Sequence, residues 1–144
     1  MRAELGRGQQ LIQRTIWSVV YKAVVMKRLP RSVDCPVELS VELLRGKWKP
    51  VILARLKDQP LRYGDLRRLI PRLSDKVLTE RLSDLQAQGL IVRENNGTGV
   101  GFYRLTEQGQ TLRPILQSLY DWGDKQATEL KVIVRSAHSA PKSS

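Results

Sequence analysis

The sequence predicts a mainly α-helical domain carrying one small β-hairpin, and three stretches in order support that expectation. From Arg62 to Leu90, RYGDLRRLIPRLSDKVLTERLSDLQAQGL holds two short amphipathic patterns separated by a proline. From Leu90 to Leu105, two alternating segments flank the turn-rich run Asn95-Asn96-Gly97-Thr98-Gly99. From Thr106 onward, apolar residues recur at helical spacing. Two helices joined by a few residues and followed by a hairpin make a winged helix-turn-helix.

The central pair is the most informative. Tyr63, Leu66 and Ile70 lie on one face of a first helix. Pro71 ends it, because the residue before a proline avoids the α region. Ser74 is suited to cap the next helix, its hydroxyl accepting from an orphan N–H of the first turn. Leu78, Leu82 and Leu85 form that helix's inner stripe, and Gly89 stops it. Lys76, Thr79, Glu80 and Ser83 fall on the opposite side, with Arg81 flanking the stripe. A cation and small hydroxyls near the start of a helix can enter a major groove and reach phosphates or base edges. An ordinary amphipathic helix would show the same wheel, so the surrounding chain has to decide.

Before the pair, Gln9 to Arg28 carries Leu11, Ile12, Ile16, Val19, Val20, Ala23 and Val24 on one helical face. That stripe needs a partner, either the domain's own core or a second copy, unless the segment lies upstream of the true domain and is poorly ordered. Thr15–Met26 is too short to span a membrane, contains Lys22, and is followed by no clean signal-peptide cleavage site. Cys35-Pro36 opens another helix, with proline at the first helical position and Cys35 at the cap. Val37, Val41 and Leu44 are expected on its inner face, and Gly46 ends it. A further helix from about Lys47 to Lys57 tolerates Pro50 only in its first turn, with Trp48, Val51, Ile52 and Leu56 facing the core. After the hairpin, Thr106 caps a long helix in which Leu112, Ile115, Leu116, Leu119 and Trp122 recur and Pro114 should kink or split it.

Composition narrows the partners. A formal net charge of +11 and pI near 10.3 attract polyanions, so nucleic acid or an anionic membrane surface are the leading partners. The single cysteine and single histidine cannot form an intrachain disulfide, a usual structural zinc site, or a persuasive hydrolytic pair. Neither enzyme activity nor a cofactor is expected. The glycines at 97, 99 and 101 lack dinucleotide-loop spacing and join two strands.

The runs CPVELSVELLRGKWKPVIL, LRYGDLRRLIPRLSDKVLTERLSDLQAQGLIVRE and YRLTEQGQTLRPILQSLYDWG carry a further signal. Their motifs are Cys35-Pro36, Gly46-Lys47-Trp48, Gly64-x-Leu66-Arg67, Ser74-x-Lys76-x-Leu78-Thr79-x-Arg81-Leu82, Leu105-Thr106-x-x-Gly109 and Trp122-Gly123. In that order, from Cys35 to about Gln126, they resemble the HxlR family of bacterial and archaeal transcription regulators, winged-helix proteins broadly similar to the MarR group. The resemblance implies DNA-binding homodimers acting near promoters, more often as repressors, with flanking terminal helices for dimerisation. It also implies that the cysteine matching Cys35 senses electrophiles or oxidants in some members. The sequence departs from the family in its longer N-terminal extension, its glycine-rich wing tip NNGTGVG, and Phe102 where a polar residue is usual.

The expected organisation is therefore an N-terminal extension over 1–34 with a helix at 9–28, a winged helix-turn-helix over 35–105, a C-terminal dimerisation helix over 106–130, and a disordered basic tail over 131–144. The expected function is sequence-specific binding of double-stranded DNA in the cytoplasm. A homodimer would place two recognition helices roughly 34 Å apart on an inverted repeat. Lys76, Thr79 and Ser83 would approach bases, and Arg67, Arg68, Arg81, Arg93 and Arg104 would hold phosphates, with Ser74 offering its helix N-terminus to another. Ile16, Val20, Leu112, Ile115, Leu116, Leu119 and Trp122 would form the dimer interface, the alternative being that the C-terminal stripe packs within its own domain. Cys35 is either a thiol sensor activated by the helix dipole or a small packing residue. An oxidant or a small molecule would be the effector. The competing reading is a winged-helix interaction module that adheres to nucleic acid without sequence preference.

Overall fold

The computed structural model describes residues 27–135, together with Val19 and Ala23. Most of the expected helix over 9–28, Ile16 and Val20 included, and the tail beyond Arg135 lie outside the described residues, while Val19, Ala23, Lys27 and Arg28 are helical. The elements run α1 (Pro36–Leu43), α2 (Lys49–Leu56), α3 (Tyr63–Leu69), α4 (Asp75–Ala87), β1 (Ile91–Asn95), β2 (Gly101–Leu105), α5 (Glu107–Gln110) and α6 (Arg113–Glu129). The strands pair antiparallel, Ile91 opposite Leu105 and Asn95 opposite Gly101. Leu61 adds a short third rung, exchanging both backbone hydrogen bonds with Tyr103 at 3.0 and 2.7 Å. The architecture is a winged helix, as the sequence predicts.

One core holds it together. Ile52 and Leu53 of α2, Leu66 of α3, Leu73 of the turn, and Leu78, Leu82 and Leu85 of α4 are sealed from solvent with Ile91 and Leu105 at the base of the wing. Each buried leucine or isoleucine contributes about 1.5–3 kcal/mol relative to exposure. The leucine stripe of α4 is therefore the floor of the domain, and its opposite face is turned to solvent.

Local signals set the boundaries. The Ser74 hydroxyl accepts from Val77 N at 3.3 Å and starts α4; Gly89 ends it at φ +73. Thr106 Oγ1 accepts from Gly109 N at 3.0 Å and donates to Gly89 O at 2.5 Å, locking the start of α5 to the end of α4. The C-terminal helix is split at Thr111–Leu112, just before Pro114, as the ring demands.

Two expectations are corrected. Val37 and Val41 are 66% and 60% exposed, so α1 does not turn them inward; only Leu44, past its end, reaches the core. Nor is the apolar face of the C-terminal helix a single dimer surface. Leu116 is buried and Leu112 packs beside it against the core, while Ile115, Leu119 and Trp122 point outward. Positions 112 and 116 share the stripe facing α2, and the other three lie on the adjacent stripe.

Candidate nucleic-acid interface

Helix α4 presents Ser74, Lys76, Thr79, Glu80 and Ser83 to solvent, with its leucines beneath. The geometry follows from α3 crossing behind it, joined by the turn Pro71-Arg72-Leu73. Leu73 plugs the core from that turn, and its N–H donates to Ile70 O at 3.1 Å. Arg67 ties the turn to both helices: its guanidinium donates to Leu73 O and its Nε lies 2.7 Å from Asp75 Oδ1. Tyr63 does the same from one turn earlier. Its hydroxyl is 2.9 Å from Asp75 Oδ1, 3.2 Å from Asp75 O and 3.4 Å from Thr79 Oγ1.

Four of the five arginines expected at phosphates pair with carboxylates within the domain. Arg67 staples the helix-turn-helix. Arg68 is exposed and pairs with Asp65, whose carboxylate also accepts from Arg62 N at 3.0 Å to start α3. The backbone bond, then Arg68, hold Asp65 below the usual carboxylate range. Arg81 pairs with Asp84 at 3.3 Å and lays its guanidinium over Gly46, whose positive φ of +119 turns the chain between α1 and α2. On the wing, Arg93 and Arg104 occupy opposite faces: Arg93 shares one with Tyr103, lying over Gly101, and Arg104 shares the other with Glu94, its ion-pair partner. The tip is organised by Asn96, whose Oδ1 accepts from Thr98 N at 3.2 Å, Thr98 Oγ1 at 2.5 Å and Val100 N at 3.1 Å.

A polar cluster joins α4 to the first two helices. Gln88 Nε2 donates to Leu43 O at 2.8 Å, and Gln88 Oε1 receives Lys49 Nζ at 3.4 Å. Lys49 is 8% exposed, and burial pushes its ammonium below the usual lysine range against the pull of Asp84. Cys35 stands at the N-cap of α1 with its thiol exposed and capping nothing. Across the domain, a groove of about 310 Å³ between α2 and α6 is lined by Val51, Ala54, Leu116, Leu119 and Tyr120.

Sequence reasoning placed Tyr63 in an apolar stripe and passed over Asp75, Lys49 and Gln88. The signal available for Tyr63 was its hydroxyl, because a tyrosine in a packed face needs a partner for it. Nothing in the spacing of Lys49 and Gln88 announces contacts across 39 residues of chain.

The HxlR-like helix-turn-helix family matches residues 43–131, the whole span from the end of α1 to the end of α6. The chain belongs to that family. Among its relatives, the HTH-type transcriptional regulator YdeP of Bacillus subtilis (strain 168) is 38% identical over 93 residues, 63% of this chain and 73% of the relative. Among solved structures, the redox regulator HypR in its reduced form is similar at 32% identity with a TM-score of 0.62, covering 69% of this chain and all of HypR. The reduced transcriptional regulator YodB from B. subtilis matches at 31% identity with a TM-score of 0.56, covering 65% of this chain and 94% of YodB. The chain is a transcriptional regulator of helix-turn-helix type, and its partner is DNA. Among the described residues, no helix is long and apolar enough to cross a membrane.

Proposed function

We propose that the protein is a homodimeric repressor, without catalytic activity, that binds an inverted-repeat operator through α4 and answers thiol chemistry at Cys35. The observation that carries this reading is the outer face of α4: exposed Lys76, Thr79 and Ser83 beside a wing, on a chain of net charge +11. Side chains of this kind suit base-edge and phosphate contacts in a major groove. Two copies are favoured by the apolar surface left by Val37 and Val41 of α1 and by Ile115, Leu119 and Trp122 of α6, which a solitary domain has no reason to expose together. Redox control is supported by the exposed thiol at a helix N-terminus and by likeness to HypR, described as a redox regulator.

The test is a titration against the protein's own upstream region and a scrambled duplex, at two salt concentrations, with and without a mild thiol oxidant. Selective binding that oxidant abolishes in the wild type but not in Cys35→Ser supports the whole reading. Selectivity indifferent to oxidant removes Cys35 from it. Equal, salt-fragile binding to both duplexes leaves only an adhesive module.

A further inference from the structure

The hydroxyl of Tyr63, on α3, reaches both Asp75 and Thr79 on the exposed side of α4. It has a single proton and several acceptors within reach. The closest is Asp75 Oδ1 at 2.9 Å, the oxygen that Arg67 Nε approaches at 2.7 Å. A carboxylate engaged by a guanidinium takes that proton in preference to a neutral hydroxyl, because a charged acceptor makes a bond about twice as strong. The proton of Tyr63 is therefore directed at Asp75, and the phenol oxygen turns lone pairs toward Thr79 Oγ1, 3.4 Å away. At that length the contact biases the Thr79 rotor: the threonine proton points back to Tyr63. What Thr79 then offers outward is acceptor lone pairs and a methyl group.

Resting on the reading of α4 as the base-reading helix, we propose that Tyr63 is a positioning residue for sequence recognition, fixing Thr79 as a hydrogen-bond acceptor toward the DNA. The chemistry of the groove makes this specific. Adenine and cytosine present amino donors there, whereas guanine and thymine present acceptors at the corresponding edge. A hydroxyl that rotates at will accepts from the amino-bearing bases or donates to the carbonyl-bearing ones. One whose proton is held by Tyr63 favours the amino-bearing bases. Asp75 and Arg67 set the direction without touching the base.

The experiment is selection of bound sequences from a randomised duplex library by the wild type, Thr79→Val and Tyr63→Phe. Thr79→Val identifies the base position that Thr79 reads. The wild type is expected to prefer adenine or cytosine there, and Tyr63→Phe to admit guanine and thymine as well, its preference falling by roughly fivefold, the factor an ordinary hydrogen bond is worth. Affinity of Tyr63→Phe for a random duplex, and its salt slope, should stay at wild-type values. A merely structural role would weaken binding to every sequence alike and leave the base preference intact, which overturns the proposal. So does a wild-type preference for guanine or thymine at the Thr79 position, or no position that responds to Thr79→Val. A wild type that enriches no sequence at all sinks the proposed function itself, and this inference with it.

Discussion

Gly109 is where the packing of α5 can be tested most sharply. A methyl group built on its Cα would sit 2.0 Å from Leu90 O, 3.1 Å from Leu90 C and 3.3 Å from Leu105 Cβ. The closest favourable carbon–oxygen contacts are ~3.3 Å, so the intrusion exceeds ~1 Å. The obstructing atom is backbone, and it is committed: Leu90 O accepts from Thr106 N at 3.0 Å. It cannot swing aside as the end of a flexible side chain would. Gly109→Ala must push α5 off the base of the wing, an overpacking cost at the upper end of about 1–3 kcal/mol. Weakening the Thr106–Leu90 bond adds about 1 kcal/mol. Against this stands the helix preference of alanine over glycine, at most about 1 kcal/mol and less in so short a helix. The net expectation is a loss of about 2–3 kcal/mol, which in a domain of this size lowers Tm by roughly 10 °C. Thermal melting by circular dichroism, with a urea titration showing a lower midpoint at unchanged m, reads it directly. Gly64→Ala is the control, since nothing lies within 4 Å of its added carbon. It should be neutral or slightly stabilising. A Gly109→Ala melt within about 2 °C of wild type, or a Gly64→Ala loss of equal size, would refute the reasoning.

Further expectations concern the surface and one buried charge. If the protein is the proposed homodimer, Leu119→Glu should leave it monomeric and weaken binding to the upstream region while leaving the fold intact; sedimentation equilibrium alongside circular dichroism checks both. Lys76→Ala should reduce the dependence of log affinity on log salt by about one counterion per subunit if the ammonium meets a phosphate. An unchanged slope would place Lys76 elsewhere. Lys49→Met should hold or raise Tm near neutral pH, because the ammonium's desolvation cost is removed while Asp84 keeps Arg81 as partner. The sign follows from the lowered lysine: burial disfavours its charged form relative to the unfolded chain, so keeping it charged costs stability at neutral pH. That cost fades as pH rises through its lowered folded pKa toward the unfolded value. The Tm difference between variant and wild type should therefore shrink on alkalinisation.

Much of the fold was written in local patterns that owe nothing to long-range contact. Ser74 and Thr106 cap helices because hydroxyls satisfy orphan N–H groups wherever the chain starts to coil. Pro114 splits the C-terminal helix because its ring cannot continue the preceding turn. The stripe of Leu78, Leu82 and Leu85 required burial at helical period, which by subtraction put Lys76, Thr79 and Ser83 outside.

What a stripe cannot say is which neighbour covers it. Val37 and Val41 have the pattern of an inner face and lie outside, while Leu44, past the end of α1, packs against a core that includes residues of α2 and α4. Leu112 and Leu116 went inward and Ile115, Leu119 and Trp122 outward because α6 meets α2 along one stripe of two available. The charges were still less legible. Arg67, Arg68, Arg81 and Arg104 each hold a carboxylate, on Asp75, Asp65, Asp84 and Glu94. Sequence counts cations, but whether a guanidinium faces DNA or a neighbouring acid depends on where the turn and the strand register bring the partner. The sequence by itself determined the elements, their order and the exposed face of α4. Only the tertiary structure decided that Tyr63 would lie against Asp75 and Thr79, since twelve and sixteen residues of chain separate them and their meeting is set by how α3 crosses α4 over a shared leucine floor.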